Sequence, residues 1–292
     1  MGLLRVRMKN QAANLELLLN DDKKCDTKFI AITSGKGGVG KSTFSANLAY
    51  KLWQIGFKVG IFDADIGLAN LDVMFGVRCE KNLLHVLRNQ ARLKDIIVPI
   101  EHGLYLIPGD SGTDIFRYKS EFMFETFIED SSLLDNLDFV IIDTGAGIGE
   151  YTQVFLKNSD DVIVLTVPDP AAITDAYATI KLASVYKNRI FMLINMAKSN
   201  QEADLIFDKI QKIAQSNIKS VSLELIGKLS KNNLINHYTK NRGIFVKEEP
   251  NSSPSMETEE VARSLAKKLE RNVLVQEDKR FGKFFKRILG HF

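Results

Sequence analysis

Short apolar segments recur along the chain, and each is apolar on both of its faces. They lie at 28–33, 58–63, 104–108, 138–143, 161–167, 190–195 and 222–229. Half-exposed strands alternate apolar and polar positions, whereas parallel strands buried between two helix layers are apolar throughout. The pattern therefore predicts a sheet of mostly parallel strands with both faces covered.

Helical periodicity fills several of the intervals between these segments. Apolar residues share one face over 42–56, and similar spacing marks helices near 173–185 and 205–213. Alternation of strands and helices over most of the chain is typical of a doubly wound α/β domain. The expected fold class is therefore α/β, with helices on both faces of a mostly parallel sheet.

The chain divides into three predicted parts. Residues 1–27 form an N-terminal extension, residues 28–271 form the α/β domain, and residues 272–292 form a linker followed by a terminal helix. Residues 247–258 are polar and contain two prolines and three serines, a composition that predicts a linker or long loop inside the domain.

Composition narrows the class of protein. Hydrophobic residues make up 45% and charged residues 26%, which is globular composition. Cys25 and Cys79 are far apart, which argues against a disulfide scaffold or a four-thiolate cluster within one chain and fits a reducing cytoplasm. The formal net charge is +3, and residues 279–292 alone carry five basic residues and no acid. The rest therefore sums to −2, which argues against a DNA-binding body.

A glycine-rich loop follows the first predicted strand and precedes a predicted helix, and it fits the pattern G-x-x-x-x-G-K-[ST]. Its residues are Gly35, Lys36, Gly37, Gly38, Val39, Gly40, Lys41 and Ser42. Glycines let backbone N–H groups converge on phosphate oxygens, and the helix N-terminus adds positive potential. We expect Lys41 to neutralise the β- and γ-phosphates, Ser42 to bind Mg²⁺, and Thr43 to reach the α-phosphate.

Carboxylates stand at the ends of two predicted strands. Asp63 and Asp65 end the second segment, and Asp143 ends the segment at 138–143. Acidic groups at the carboxyl edge of a sheet, beside a phosphate loop, can hold Mg²⁺ and orient an attacking water. The alternative for each is an ordinary helix cap or turn residue.

The loop contains a second lysine, Lys36. Its side chain cannot easily reach the phosphates bound by its own loop, because Lys41 and the loop amides already occupy that side. Lys36 can instead project toward a nucleotide in a facing subunit, as an arginine finger does. The motif K-G-G-V-G-K-S resembles the deviant Walker A signature of the MinD/ParA family of ATPases, and the run at 63–72 resembles the first switch of MinD. The resemblance covers 28–292 and implies an ATP-dependent sandwich dimer in which Lys36 contacts the partner's phosphates.

The same resemblance assigns roles to the carboxylates. It implies that Asp65 is the hydrolytic aspartate, that Asp63 supports the metal site, and that Asp143 is the Walker B carboxylate on Mg²⁺. Gly147 belongs to a second switch whose amides sense the γ-phosphate. MinD usually has proline where Gly145 stands, so we expect this loop to be looser.

Two further residues gain expected roles from the family. Asn195 resembles the asparagine that hydrogen-bonds adenine, although an asparagine at a strand end is often just a turn former. Asp175 lies on a helix that the family uses for partner docking, but a first-turn acid favoured by the helix dipole is the alternative.

The C-terminal segment has apolar residues at helical spacing, with basic residues between them. The apolar residues are Phe281, Phe284, Phe285, Ile288, Leu289 and Phe292. Wound as a helix, the segment has one apolar and one basic face, and it resembles the membrane-targeting tail of MinD. The alternative is a terminal helix docked on the domain.

Part of the N-terminal extension resembles a motif of the FlhG proteins, which are the flagellar number regulators of this family. Gln11, Ala12 and Leu15 match the pattern D-Q-A-x-x-L-R, whereas Asn10 and Glu16 depart from it. In that subfamily the glutamine enters the active site of the GTPase FlhF and accelerates GTP hydrolysis. The alternative is an amphipathic tail without a partner.

These features together predict an Mg²⁺-dependent ATPase that is cytoplasmic and binds the inner face of the cell membrane peripherally when ATP-bound. The expected partners are a second copy, an FlhF-type GTPase, flagellar switch proteins and anionic lipid, with no specific nucleic acid. The alternatives are a MinD-type septum-site ATPase, a ParA-type DNA-partition ATPase, an iron–sulfur carrier and a non-hydrolysing scaffold.

Overall fold

The computed structural model describes residues 27–65, 69–88, 90–109, 136–218, 221–270 and 287–288. Its sheet has eight strands in the order β3-β4-β2-β5-β1-β6-β7-β8. The strands are β1 Lys28–Thr33, β2 Val59–Ala64, β3 Val98–Glu101, β4 Leu104–Ile107, β5 Phe139–Thr144, β6 Asp161–Thr166, β7 Arg189–Ala197 and β8 Ser222–Ser230. All neighbours pair in parallel except β3 and β4. The predicted doubly wound sheet is confirmed.

The helices lie on both faces of this sheet. They are α1 Lys41–Gln54, α2 Leu71–Phe75, α3 Leu83–Leu87, α4 Leu93–Ile96, α5 Glu150–Asn158, α6 Pro170–Ala183, α7 Asn200–Asn217, α8 Asn233–Lys240, α9 Phe245–Glu248 and α10 Ser253–Glu270. Successive residues of β1 belong to opposite cores: Phe29 packs with residues of α5, α6 and α7, and Ile30 packs with residues of α1 and α10. Both faces of the central strand are therefore covered, as the continuous apolar runs predict.

The expectation of a linker or long loop at 247–258 is wrong, because α10 begins at Ser253. Pro254 lies in its first turn, where a missing backbone N–H costs no helical hydrogen bond. Thr258 is fully buried, and its hydroxyl donates to the Pro254 carbonyl oxygen at 2.7 Å. Ser255 is also fully buried and donates to the Glu249 carbonyl oxygen at 2.7 Å. These backbone partners let a polar segment enter the core.

The sheet brings the candidate residues to one edge. The glycine-rich loop leaves the carboxyl end of β1, and Asp63 and Asp143 are register partners near the carboxyl ends of β2 and β5. In open α/β sheets, ligands bind in the crevice outside this edge. Within the part of the chain that the structure covers, no helix combines the length and apolar character that a bilayer crossing requires.

Candidate active site

The glycine-rich loop ends in a helix start that suits an anion. Gly40 is the N-cap of α1 and has a left-handed backbone with φ 92°, and no acidic residue lies in the first turn. Glycine adopts this conformation without a steric penalty. Because Gly40 has no side chain, the first-turn N–H groups are left for a ligand, in the field of the helix dipole.

Gly35 holds the loop against α6. A Cβ atom at this position would lie 2.2 Å from the carbonyl oxygen of Asp175, so only glycine permits the approach. The Asp175 carbonyl oxygen also accepts a hydrogen bond from the Thr179 hydroxyl at 2.9 Å. The structure therefore places Asp175 beside the phosphate loop, while its partner-docking role stays a prediction.

Lys41 joins the carboxylates of two strands. Its side chain is buried, and its Nζ lies 3.4 Å from Asp143 Oδ1 and 4.0 Å from Asp65 Oδ2. Asp143 Oδ2 is also buried, and it has no hydrogen-bond partner among the residues that the structure describes. A buried carboxylate oxygen usually has a partner, so this atom is suited to an external ligand.

Asp63 holds the chain that follows β2. Its Oδ2 accepts the backbone N–H groups of Asn70 at 2.9 Å and Leu71 at 3.0 Å, and its Oδ1 accepts that of Asp65 at 3.4 Å. Burial raises the pKa of Asp63 to about 7, with a further increase from Asp143, and the three backbone hydrogen bonds oppose the rise. Asp63 thus organises the start of α2, and its support of a metal stays a prediction.

Replacing Asp63 with Asn is expected to remove a pH dependence of stability. A carboxyl whose pKa is about 7 when folded and about 4 when unfolded binds more protons in the folded state between these values. The free energy of unfolding therefore falls as the pH rises through this window. Between about pH 5 and about pH 7.5, urea denaturation of the nucleotide-free protein should show the parent's free energy of unfolding falling by a few kcal/mol more than that of Asp63→Asn. If the free energies of unfolding of the two proteins change equally with pH, the raised pKa of Asp63 is contradicted.

Lys36 belongs to the phosphate loop, and its side chain pairs with the start of α6. Its Nζ lies 3.2 Å from Asp169 Oδ1, and both side chains are about half exposed. Asp169 is the N-cap of α6, and the N–H of Ala172 lowers its pKa, followed by Lys36. An exposed ion pair contributes little to stability because water and salt screen it, so Lys36 can leave Asp169 at little cost.

Asn195 ties the phosphate loop to β7. Its side chain is buried, its Nδ2 donates to the Val39 carbonyl oxygen at 2.8 Å, and its Oδ1 accepts the Met196 N–H at 2.9 Å. A Cβ atom on Gly40 would lie 2.5 Å from this Nδ2. The side chain is thus in direct contact with the loop, and its hydrogen bond to adenine stays a prediction.

The second switch is connected to the same loop. The Gly147 N–H donates to the Ser34 carbonyl oxygen at 2.8 Å, and Gly147 has a left-handed φ of 87°. To sense the γ-phosphate, the Gly147 N–H would have to leave the Ser34 carbonyl oxygen and donate to a phosphate oxygen instead. This sensing role stays a prediction.

Residues of the glycine-rich loop and the loop after β5 line an open cavity of about 550 Å³, within the usual range for small-ligand sites. Its lining includes Lys41, Ser42, Thr43 and Asp65, together with Thr239 of α8. The Thr239 and Thr43 hydroxyl oxygens are 3.3 Å apart. Sequence reasoning did not include Thr239, because a lone threonine on a polar helix carries no motif.

The residues present fit an Mg²⁺ ion that is shared with phosphate. Asp143 offers an unpartnered oxygen, and Ser42 lines the cavity. The described ranges contain no group of three or more His, Cys, Asp or Glu side chains arranged to hold a metal. Mg²⁺ is typically bound by one or two protein ligands, substrate phosphates and water, so this small donor set suits it when a nucleotide is bound.

The terminal predictions fall mostly outside the described residues. This applies to Gln11, Phe281, Phe284, Phe285, Leu289 and Phe292. Ile288 is described: it is 2% exposed and belongs to the core cluster that contains residues of α5, α6 and α7. Its predicted membrane contact would require it to leave this cluster.

A doubly wound sheet with a phosphate loop after β1 and carboxylates at the ends of β2 and β5 defines a P-loop NTPase. The family model described as "ParA: NUBPL iron-transfer P-loop NTPase" matches residues 26–266. The chain belongs to the ParA family of P-loop NTPases, which includes the MinD-like proteins.

Three comparisons with individual proteins support this assignment. The chain is 47% identical over 292 residues to "Flagellum site-determining protein YlxH" of Helicobacter pylori, covering 97% of this chain and 99% of the relative. It is 34% identical over 241 residues to "Antiactivator FleN" of Pseudomonas aeruginosa, covering 82% and 86%. Its fold resembles a chain of the "MinC:MinD cell division protein complex" of Aquifex aeolicus, with a TM-score of 0.67, 26% identity and coverage of 86% and 99%.

Proposed function

We propose that the chain is an Mg²⁺-dependent ATPase switch that regulates the number or placement of flagella. The observation that carries this proposal is the 47% identity to a flagellum site-determining protein over nearly the whole length of both chains. The similarity to an antiactivator over 82% of this chain supports a regulatory output.

The site has the groups that ATP hydrolysis requires. The first-turn amides of α1 and Lys41 bind the phosphates, and Ser42 and Asp143 hold Mg²⁺, which neutralises phosphate charge when bound. Asp65 lines the cavity with its carboxylate 4.0 Å from Lys41, where it can orient the attacking water. Asn195 contacts adenine once it releases the Val39 carbonyl oxygen.

Pairing of two copies makes nucleotide state a switch. In the single chain, Lys36 rests on Asp169. When two ATP-bound copies face each other, Lys36 exchanges this weak, exposed ion pair for the partner's phosphates, where its charge counts for more in a water-poor interface. Hydrolysis removes the γ-phosphate and returns the chains to single copies.

Membrane binding follows from pairing. One terminal helix gains roughly 1.5–3 kcal/mol for each large apolar side chain that is fully buried but loses about 1–2 kcal/mol for each residue that becomes ordered, so one copy binds weakly. Two copies on one dimer bind together at high effective concentration. Because Ile288 lies in the core cluster, release of Ile288 from this cluster accompanies the change from cytoplasm to membrane.

Deletion of residues 1–22 tests the flagellar proposal against a MinD-type septum-site ATPase, the second candidate, which the similarity to MinD favours. In the proposed role, Gln11 enters an FlhF-type GTPase, where a glutamine can orient the attacking water, and a group supplied in trans can raise the rate of GTP hydrolysis about 10³–10⁵-fold. We expect the full chain to stimulate GTP hydrolysis by such a GTPase at least about tenfold, and the truncated chain to lose this effect while its own ATPase activity is retained.

Gln11→Ala in the full chain is the sharper variant, and Gln90→Ala is its control because Gln90 is exposed on the α/β domain. If the truncated chain stimulates the GTPase as strongly as the parent, the role of the extension is refuted. If neither chain stimulates it and both retain ATPase activity, the septum-site candidate gains support.

A further inference from the structure

Ser45 is a buried hydroxyl that contacts the Walker B carboxylate. It lies on α1 one helical turn after Lys41 and is fully buried. Its Oγ is 2.8 Å from Asp143 Oδ1 and 3.0 Å from the Lys41 carbonyl oxygen. No sequence motif points to this serine, because it is adjacent to Asp143 only in the folded chain.

The hydroxyl has one hydrogen and two acceptors within reach. A bond to the Lys41 carbonyl is the ordinary resting arrangement of a serine inside a helix. The bond to an ionised carboxylate is shorter here and is charge-assisted, which makes it roughly twice as strong as a neutral one. The hydroxyl therefore donates to Asp143, and the Lys41 carbonyl is the alternative acceptor.

The two oxygens of Asp143 have different environments. Oδ1 accepts from Ser45 at 2.8 Å and from Lys41 at 3.4 Å. Oδ2 is buried without a partner in the described part of the chain. Lys41 also lies 4.0 Å from Asp65, and it is the group that must turn to phosphate when a nucleotide binds. Ser45 is then the donor that still holds Oδ1.

We propose that Ser45 is a positioning residue for the metal site: by holding Oδ1 it fixes the Asp143 side chain so that Oδ2 remains the oxygen offered to Mg²⁺. The inference rests on the proposed function, because it requires Mg-nucleotide at this site. Without the hydroxyl, Lys41 is the one hydrogen-bond partner that the Asp143 side chain keeps among the residues that the structure describes. The carboxylate then competes with the nucleotide phosphates for that ammonium, and its free oxygen is no longer fixed.

The test is a titration of Mg²⁺ against binding of a fluorescent ATP analogue, with a second titration of the analogue in EDTA. Groups that orient a metal ligand typically change metal affinity by 10–100-fold. We expect Ser45→Ala to raise the half-saturating Mg²⁺ concentration about tenfold while affinity for the analogue in EDTA is retained. Ser45→Thr keeps the hydroxyl and should match the parent. Ser45→Cys, with a weak thiol donor, should lie between them.

Thr258→Val is the matched control, since Thr258 is also fully buried in a helix, but its hydroxyl donates to a backbone carbonyl, that of Pro254, and not to a carboxylate. It should leave the Mg²⁺ titration unchanged. The inference is overturned if Ser45→Ala and Ser45→Cys both keep the parent's Mg²⁺ dependence, or if they weaken binding equally with and without Mg²⁺. A parent chain that shows no Mg²⁺-dependent binding would refute the proposed function itself, and with it this inference.

Discussion

Asp65→Ala is expected to lower the rate of ATP hydrolysis by at least about 100-fold while nucleotide binding persists. A group that handles the proton of the attacking water contributes about 10²–10⁴-fold to rate. Asp65 lines the cavity with a partly exposed side chain, 20% accessible, and its Oδ2 is 4.0 Å from Lys41. Burial raises its pKa, Lys41 opposes the rise, and Asp143 adds to it. A raised pKa moves a carboxylate base toward neutral pH, where it is more effective.

The measurement is single-turnover hydrolysis at saturating ATP, with affinity for a fluorescent nucleotide determined in parallel. Asp208→Ala is the control, because it removes an exposed carboxylate on α7, away from the site. An Asp65→Ala protein that hydrolyses ATP as fast as the parent would contradict the water-orienting role.

Lys36→Ala is expected to abolish ATP-dependent pairing and to lower the rate of ATP hydrolysis about 10³-fold, which is the lower end of the range for a finger residue supplied by a partner. Its affinity for ADP as a single chain should stay close to that of the parent. The physical reason is that Lys36 pairs with Asp169 at 3.2 Å and lies outside the cavity lining formed by Lys41. Removing it therefore affects the facing subunit's nucleotide more than its own.

Lys231→Ala supplies the charge control, because Lys231 is an exposed lysine that follows β8 at the same end of the sheet. Hydrolysis rates and pelleting with anionic vesicles should match the parent for Lys231→Ala and fall together for Lys36→Ala. Vesicle binding that persists in the Lys36→Ala protein in step with its bound nucleotide would separate membrane attachment from pairing.

The sheet could be predicted because its strands are buried on both faces, which leaves a continuous apolar run in the sequence. β3 was missed for the opposite reason: Val98–Glu101 is short, half exposed and contains Pro99, and it pairs only at the edge. The prediction for the segment at 247–258 was wrong because a run of polar residues usually indicates a solvent-exposed loop. In the fold, the hydroxyls of Ser255 and Thr258 donate hydrogen bonds to backbone carbonyls.

Part of the candidate site could also be predicted from the sequence, and part of it could not. The phosphate loop and the nearby carboxylates were recognisable because their spacing is local or tied to strand ends. Ser45, Asp169 and Thr239 were missed, since each acquires its meaning from a residue far away in sequence: Asp143, Lys36 and Thr43 respectively. Helical serines and threonines and a capping aspartate are common, so tertiary placement alone distinguishes these.

Pairing of two chains through Lys36 in response to ATP is tested most directly by the mass of the protein in solution. Light scattering would compare the parent and Lys36→Ala with Mg-ADP and with Mg²⁺ and a slowly hydrolysed ATP analogue. The predicted result is one chain with ADP for both proteins, two chains with the analogue for the parent, and one chain with the analogue for Lys36→Ala. Equal masses of the parent in both nucleotides, or a paired Lys36→Ala protein, would contradict the mechanism.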